Sequence, residues 1–285
     1  MARHRVEMAK SLVEVEDGKV RVLSPPKVRR CPLRRSLYGC EEEDESTVAR
    51  VLESHVDELG MYTSKRVLRL SDDPVSFGAS EMVNDAMAAG LLEAAVVVCE
   101  GVGTVIIDRP EVLQAVGAHM TGIVSTEEIP ATRRRLERLG AVTLGECRID
   151  QVAGYALAVE EGFGKVAVTI AGGRPQDALR LRRMANYLGK EVLVLAVHTT
   201  GISERAARSL SRHCDVVWGC ASKQVRDIIG PRAMLQIGTG IPVFALTKEG
   251  KRLVLNRALS MRDPLLIQRA HLPKLDKGRQ PEPLL

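Results

Sequence analysis

Aromatic side chains and side-chain amides are scarce in this chain of 285 residues. Phe, Trp and Tyr together make up 3% of the residues, which leaves little ring surface on which bases could stack. Asn occurs at three positions, 84, 186 and 256, while arginine far outnumbers lysine, and this combination is typical of proteins that withstand heat. We therefore expect a thermophilic source, and the composition disfavours single-stranded nucleic acid as a partner.

Long apolar runs are absent as well. The longest, at 94–99 and 192–197, have the length of strands and fall far short of the roughly 20 residues that a membrane helix requires. The first ten residues, MARHRVEMAK, lack the apolar segment and small-residue cleavage site of a secretory signal. We expect a cytoplasmic protein without a membrane partner.

The positive charge is concentrated at the two ends. Residues 1–40 hold ten Lys and Arg against four Asp and Glu, and residues 251–285 hold eight against three. Such ends are compatible with RNA, an acidic protein or an anionic cofactor, and equally with solvated arginines on a heat-stable surface. An RNA-contacting module is therefore one hypothesis, although no nucleic-acid motif accompanies these charges.

The hydrophobic pattern predicts an α/β fold. Apolar and polar residues alternate over 11–24 around Asp17-Gly18, which indicates a β-hairpin. An amphipathic helix is predicted from Ser46 to Gly60, after a loop that contains Cys31 and Cys40. Beyond residue 74, helical segments alternate with short apolar strands, so we predict a mostly parallel sheet covered by helices on both faces.

This pattern divides the chain into three parts. They are an N-terminal hairpin, Cys-containing loop and helix (1–70), an α/β core (71–262) and a basic C-terminal tail (263–285) whose last residues look unstructured. A weak similarity at an offset of 72 residues aligns Gly90 and Gly101 with Gly162 and Gly173. It indicates either two related halves within the core or the shared pattern of any two helix-to-strand units.

Glycine-rich links follow most of the predicted strands. Ligands of open parallel sheets bind beyond the carboxyl ends of the strands, so these links hold the candidate ligand-binding residues. The candidates are Gly101, Gly103, Gly172, Gly173, Arg174, Thr199, Thr200, Gly201, Ser222, Gly238 and Gly240. Around Arg174, backbone N–H groups and a guanidinium suit a phosphate or carboxylate, but close approach of a strand and a helix also requires glycine.

Two strand-end residues are candidates for acid–base chemistry. Glu100 is the best candidate carboxylate, and His198 stands between a buried strand and two threonines. A histidine in this position acts as an acid, a base or a ligand, or it is simply hydrogen-bonded. No hydrolase triad order, zinc-protease motif or paired-carboxylate motif accompanies these residues, and whether the protein is an enzyme stays open.

Six cysteines are many for a chain of this length, and their spacing lacks the C-x-x-C pattern of zinc or cluster sites. Four of them are candidate ligands of a metal or iron–sulfur cluster: Cys31, Cys40, Cys99 and Cys220. The alternative is that they are buried or isolated thiols, which behave as small hydrophobes. We expect Cys99 and Cys220 to lie near the glycine-loop cleft, and we assign neither a metal nor any other cofactor.

Four segments in this order resemble the archaeal methanogenesis marker protein 8 family. They are Cys31-Pro32-Leu33 with Leu37-Tyr38-Gly39, Ser76-Phe77-Gly78-Ala79-Ser80-Glu81, Glu100-Gly101-Val102-Gly103-Thr104-Val105-Ile106 and Ile237-Gly238-Thr239-Gly240-Ile241-Pro242-Val243. The resemblance implies restriction to methane-producing archaea and a role near methanogenesis. The family has no established activity, so the resemblance assigns no catalytic residue.

Two further hypotheses about function follow. In the first, the protein binds a small anionic ligand and serves as an accessory factor of methanogenesis, in its sharper form during assembly or activation of methyl-coenzyme M reductase. Proteins of the methanogenesis machinery are then its partners. In the second, it is an enzyme for a phosphorylated or carboxylated metabolite, in which Glu100 and His198 move protons and Arg174 holds the anion.

Overall fold

The structure is a computed structural model that describes residues 2–119 and 122–285. Its strands form two sheets, one of four strands and one of eight. The strands are β1 Arg3–Met8, β2 Ser11–Glu16, β3 Lys19–Val22, β4 Ala94–Cys99, β5 Gly103–Ile107, β6 Gly122–Thr126, β7 Val142–Thr143, β8 Lys165–Ala171, β9 Glu191–Val197, β10 Val216–Trp218, β11 Leu235–Ile237 and β12 Val243–Ala245.

Most of the helices begin at prolines or at capping side chains, and α3 begins after Gly78 with neither. A proline in the first turn lacks only an N–H that would have no partner there, and α1, α4, α5 and α7 begin in this way. The helices are α1 Pro32–Tyr38, α2 Glu45–Leu59, α3 Ala79–Ala88, α4 Pro110–Gly117, α5 Pro130–Arg138, α6 Gln151–Glu160, α7 Pro175–Leu188, α8 Glu204–His213 and α9 Lys248–Ser260.

The large sheet is mixed, so the prediction of a mostly parallel sheet is corrected. Its strand order is β11-β12-β10-β9-β8-β4-β5-β7. The central strands β10, β9, β8 and β4 run parallel, whereas β5, β7, β12 and β11 pair antiparallel at the two edges. The three-residue link 100–102 between β4 and β5 is too short for a parallel crossover, and Gly101 and Gly103, at φ +74° and +84°, let the chain reverse there.

Helices cover both faces of this sheet, as the apolar strands predicted. One face packs against α3, α4 and α9, and the other packs against α6, α7 and α8. Alternate residues of one strand therefore enter different cores: Val97 and Cys99 belong to the first, and Val96 belongs to the second. This two-sided burial explains why the strands read as continuous apolar runs.

The small sheet forms a second layer with α2. Its order is β3-β2-β1-β6, with antiparallel pairing throughout. The predicted hairpin is confirmed as β2 and β3, and it extends to β1. The strand predicted at 122–124 forms as β6, but it pairs with β1 instead of joining the large sheet.

Local sequence signals mark both the start and the end of the helix α2. The side chain of Asp44 accepts a hydrogen bond from the Thr47 N–H at 2.7 Å, and the Thr47 hydroxyl accepts one from the Asp44 N–H at 2.8 Å. Gly60 ends the helix at φ +61°. The reciprocal cap and the left-handed glycine are the local signals of a helix start and stop.

Two segments are more ordered than the sequence indicated. Residues Pro32–Tyr38, expected as a loop, form α1. In the C-terminal tail, Glu282 pairs with Arg30 as a short antiparallel bridge, and the Leu285 N–H donates to the carbonyl of Ala221 at 3.2 Å. Among the described residues, no helix combines the length and apolar character needed to cross a membrane.

Candidate functional site

A cavity of about 710 Å³ lies between the two layers. We call it the interlayer cavity. One wall comes from β1, α1, α2 and β6, with Cys31 and Tyr38 among its residues, and the other comes from α3, α7 and the carboxyl ends of the central strands, with Thr169, His198 and Cys220. A pocket of this size beyond the strand ends of an open sheet is where ligands of α/β proteins bind.

Some of the strand-end candidates reach this cavity. Arg174, His198 and Thr200 line it, and so do Cys31 and Cys220. Arg174, His198, Thr200 and Cys220 converge because β8, β9 and β10 run parallel, so the carboxyl ends of these strands meet at one edge of the sheet. Cys31 reaches the cavity from the N-terminal layer, just before α1. Their roles in binding or catalysis stay predictions, but the structure places these five residues around one space.

His198 has a strained backbone at the cavity wall. Its φ is +50°, a left-handed conformation that costs a non-glycine residue free energy and that is most often retained at functional sites. The strand β6 passes close to the ring: a Cβ placed on Gly122 would lie 3.6 Å from Cγ of His198. Burial lowers the pKa of His198, and the nearby Glu7 opposes this effect, so the imidazole is neutral near pH 7.

Arg174 faces the cavity from the start of α7. Its Nε lies 2.7 Å from Oδ2 of Asp177, whose side chain is buried, while the side chain of Arg174 itself is 45% exposed. The adjacent backbone amides are already used: the Gly172 N–H donates to Val197 O at 2.8 Å, and the Arg174 N–H donates to Ala171 O at 2.9 Å. The guanidinium, and not a cradle of amides, is therefore the candidate anion-binding feature of this link.

The opposite wall carries a cluster of rings. Nε2 of His55 lies 3.1 Å from the Tyr38 hydroxyl, and the rings of His55 and His119 meet edge to face with centroids 5.6 Å apart. Burial, reinforced by His119 and Arg34, lowers the pKa of His55 to about 3. The Arg34 guanidinium donates two hydrogen bonds to the Glu43 carboxylate, from Nε at 2.5 Å and from Nη2 at 2.8 Å.

A buried carboxyl group on α3 also lines the cavity. Glu81 is 1% exposed, and its carboxylate accepts hydrogen bonds from the Val75 N–H at 3.3 Å and from the Ser80 hydroxyl at 2.9 Å. Burial raises the pKa of Glu81, which favours its protonated form relative to a solvated glutamate. The site thus holds a carboxyl group to which the sequence pattern assigned no role.

Glu100 lies away from the cavity wall that the described residues form. Its carboxylate is buried in an ion pair with Arg66, Nε to Oε1 at 2.5 Å. Gly101 and Gly103 shape the β4–β5 turn beside it: Gly101 donates its N–H to the Thr126 hydroxyl at 2.7 Å, and a Cβ on Gly103 would meet the backbone of Cys147 at 2.5 Å. The structure therefore does not bring Glu100 together with His198.

Among the described residues, the other strand-end candidates do not line the cavity. Several of them have structural partners instead. The Thr199 hydroxyl donates to Trp218 O at 2.5 Å, and the Ser222 hydroxyl accepts from the Val225 N–H at 3.3 Å. Close backbone or side-chain neighbours surround Gly172, Gly201, Gly238 and Gly240, whereas Gly173 is open. Any role in ligand binding that these residues have stays a prediction.

The cysteines separate into two groups. Cys40, Cys99 and Cys214 are buried in the cores, and Cys147 lies next to the β4–β5 turn. Of the residues that the structure describes, Cys31 and Cys220 are the cysteines that line the cavity. The expectation that Cys99 accompanies Cys220 is not met, since its side chain enters the apolar core. Within 2–119 and 122–285, no group of three or more His, Cys, Asp or Glu could hold a metal ion.

Comparison with known proteins places the chain in a family. A family described as uncharacterised proteins conserved in archaea (DUF2099) matches residues 4–259. The chain is also 33% identical to the uncharacterised protein MJ0054 of Methanocaldococcus jannaschii, over 288 residues that cover 100% of both chains. The chain belongs to this archaeal family. Family membership supplies no activity, so the chemistry has to be argued from the cavity.

Sequence reasoning missed several polar groups of this family member's cavity, among them Glu81, Asp177 and His55. Asp177 stands three residues after Arg174 in the first turn of α7, a spacing that puts both side chains on one helix face. That signal was present in the sequence. Glu81 and His55 carried no such signal, because only the contact between the layers brings their helices to the cavity.

Proposed function

We propose that the protein binds a small organic anion in the interlayer cavity. The observation that carries the proposal is the Arg174 side chain at the wall of this cavity, which is 45% exposed although its Nε pairs with Asp177. Arg34 is less suited to a ligand, because Glu43 binds its guanidinium in a bidentate pair and its side chain is only 11% exposed. A carboxylate or phosphate that approaches Arg174 would form a charge-assisted pair of hydrogen bonds.

The rest of the wall favours a ligand with an apolar body. Val97, Ala167, Val197, Trp218 and Ile241 contribute hydrocarbon or ring surface. The Trp218 indole is oriented by its Nε1–H, which donates to Phe77 O at 3.0 Å. An organic acid whose charged end meets Arg174 and whose body contacts these side chains matches both parts of the cavity.

Binding is tested by ligand retention and by thermal stabilisation. Protein purified without oxygen should release its bound small molecule on denaturation, for identification by mass spectrometry. Added back, that molecule should raise the melting temperature of the wild type and of Arg183→Leu, which changes an exposed arginine on the same helix, but not that of Arg174→Leu. Equal stabilisation of both variants would contradict the proposal.

We further propose that this binding serves methanogenesis, in the sharper form as an accessory to methyl-coenzyme M reductase. The support is the resemblance to the methanogenesis marker protein 8 family and the full-length relative from a methanogen. Affinity purification of the tagged protein from a methanogen under anaerobic conditions should recover the reductase or its maturation factors. Recovery of neither would argue against the accessory role and leave the binding proposal standing.

A second candidate function is acid–base catalysis on the same ligand. The observation that favours it is the strained His198, whose neutral imidazole lines the same cavity as the protonation-prone Glu81. In this scheme Glu81 takes the part that the sequence pattern suggested for Glu100. Incubation of the identified ligand with the protein, followed by NMR, should show turnover that His198→Gln abolishes. An unchanged ligand spectrum with the wild type would remove this candidate.

A further inference from the structure

The two cysteines of the interlayer cavity come from distant parts of the chain. Cys31 precedes α1 in the N-terminal layer, and Cys220 follows β10 of the large sheet. Both thiols are free and partly exposed at the cavity. We propose that Cys31 and Cys220 form a redox-active dithiol that reduces an organic disulfide bound in this cavity.

One short segment ties the neighbours of both cysteines together. Glu282 pairs with Arg30, the residue before Cys31, and the Leu285 N–H donates to the carbonyl of Ala221, the residue after Cys220. From residue 282 to residue 285 an extended chain spans at most about 11 Å. The same four-residue segment therefore binds the backbone beside both cysteines, and repulsion from the Cys220 thiolate is one of the contributions to the raised pKa of Cys31.

Each thiol has a guanidinium beside it. Burial raises the pKa of Cys31, while the backbone N–H groups of Leu33 and Arg34 and the Arg34 side chain act in the opposite direction. Arg226, held by the carbonyls of Cys220 and Ser222 at 2.6 and 2.9 Å, has its pKa lowered by burial to about 10, and the Cys220 thiolate opposes this shift. Partly exposed cysteines beside cations are the reactive ones in proteins.

The remaining cysteines do not line the cavity that the described residues form. Cys40 is buried, although the Arg50 guanidinium lies 3.5 Å from its Sγ. Burial raises the pKa of Cys99 and of Cys214, and both thiols lie in apolar cores. Cys147 is partly exposed, but burial raises its pKa to about 11. Burial raises the pKa of Cys31 as well, so the shared cavity is what distinguishes the pair. Cys31 and Cys220 are the cysteines among the described residues that line this cavity, one from each layer, and a bound disulfide can reach both.

The reaction balances with no other reductant. One cysteine thiolate attacks a sulfur of the bound disulfide, forms a mixed disulfide and releases the first organic thiolate, which takes up the proton that the attacking thiol lost. The second cysteine, as thiolate, then attacks the protein sulfur of the mixed disulfide and releases the second organic thiol. The ligand gains two electrons and two protons, and the protein is left with a Cys31–Cys220 disulfide.

The test is thiol mapping after exposure of reduced full-length protein to hydroxyethyl disulfide. The wild type should lose two of its six free thiols and yield a peptide pair joined through Cys31 and Cys220. Cys147→Ser should behave in the same way. In Cys31→Ser and in Cys220→Ser, the remaining cavity cysteine should instead retain a mixed disulfide with the probe, seen as added mass on that residue.

Two results would contradict the proposed Cys31–Cys220 dithiol. If the wild type keeps both cavity thiols reduced, or reacts at Cys147 alone, the proposal is wrong. Circular dichroism shows whether the serine variants fold, and the wild-type peptide map tests the dithiol without them. Arg174→Leu should still form the Cys31–Cys220 disulfide with this uncharged probe, so a failed dithiol is distinguished from a failed anion site.

Discussion

Arg66 and Glu100 form an ion pair in which both side chains are only 1% exposed. The other nitrogens of Arg66 donate to the carbonyls of Val67 and Ala115 at 3.0 and 2.7 Å. The pair thus connects the segment after α2 with α4 and with the end of β4. Removing one partner would leave the other charge buried without compensation.

We predict that Glu100→Gln lowers the free energy of unfolding by about 3–5 kcal/mol, the usual cost of breaking a buried ion pair from one side. Glu204→Gln is the matched control, because Glu204 pairs with Arg208 where both side chains are 60% exposed, and it should change stability within experimental error. Urea unfolding measures both. Similar effects of the two substitutions would show that Glu100 is not a structural partner of Arg66.

Comparison of Gly103→Ala with Gly90→Ala distinguishes the cost of backbone strain from the cost of a steric clash. Both have positive φ, +84° and +68°, so alanine at either position should cost about 1–2 kcal/mol through the left-handed backbone. At Gly103 the new Cβ would also lie 2.5 Å from the backbone carbon of Cys147, whereas nothing lies within 4 Å at Gly90. Gly103→Ala should therefore unfold at clearly lower urea concentration, and equal midpoints would contradict the close approach at the β4–β5 turn.

His55 should make stability fall as the solution becomes acidic. Its pKa drops from 6.5 to about 3 in the folded protein because the ring is buried, so below pH 6.5 the unfolded chain binds a proton that the folded chain does not. Above pH 6.5 this difference in proton binding does not reduce the free energy of unfolding. Below pH 6.5 the free energy of unfolding decreases by up to about 1.4 kcal/mol per pH unit toward pH 3.

The measurement is the pH dependence of unfolding in His55→Asn compared with the wild type. The variant should have a shallower slope between pH 6.5 and 4. His271→Asn, which changes an exposed histidine in the C-terminal tail, should keep the wild-type slope. A His55→Asn curve parallel to that of the wild type would mean that the imidazole is not buried in its neutral form.

Trp218 gives the interlayer cavity an optical reporter. It is the one tryptophan of the chain, and it lines the cavity. Anilinonaphthalene sulfonate, an aromatic anion, should quench its fluorescence by binding there, and Arg174→Leu should weaken that binding by about tenfold or more, since a charge-assisted hydrogen bond contributes about 1.5–3 kcal/mol. Arg183→Leu should leave the affinity unchanged, and equal weakening by both variants would count against Arg174 as the anion site.

Turns, helix caps and apolar runs, all visible in the sequence, predicted much of the fold. The Asp17-Gly18 turn predicts the β2–β3 hairpin, and the cap at Asp44 with Gly60 at the other end delimits α2. The apolar runs identify the central strands, because both faces of those strands are buried. The strand-end rule also selected Arg174, His198 and Cys220, which the structure places at one cavity.

The hydrophobic pattern does not predict which strands pair with each other. An apolar run indicates that a segment is buried, but it does not indicate the neighbouring strand with which its backbone forms hydrogen bonds. The strand β6 could therefore be predicted from the sequence, although its partner β1 could not. The short link from β4 to β5 did contain the signal for antiparallel pairing, since no crossover fits into three residues.

Local sequence patterns predicted most of the strands and helices, the cover of the large sheet on both faces and the strand ends with polar residues, although α1 was expected as a loop and β1 was not predicted. The pairing of Glu100 with Arg66, and the meeting of Glu81, His55 and Cys31 with His198 and Cys220 at one cavity, came from the packing of the two layers. The physical reason is distance along the chain. Capping, turns and periodicity depend on residues a few positions apart, whereas a cavity between two layers depends on contacts that form only when the layers pack together.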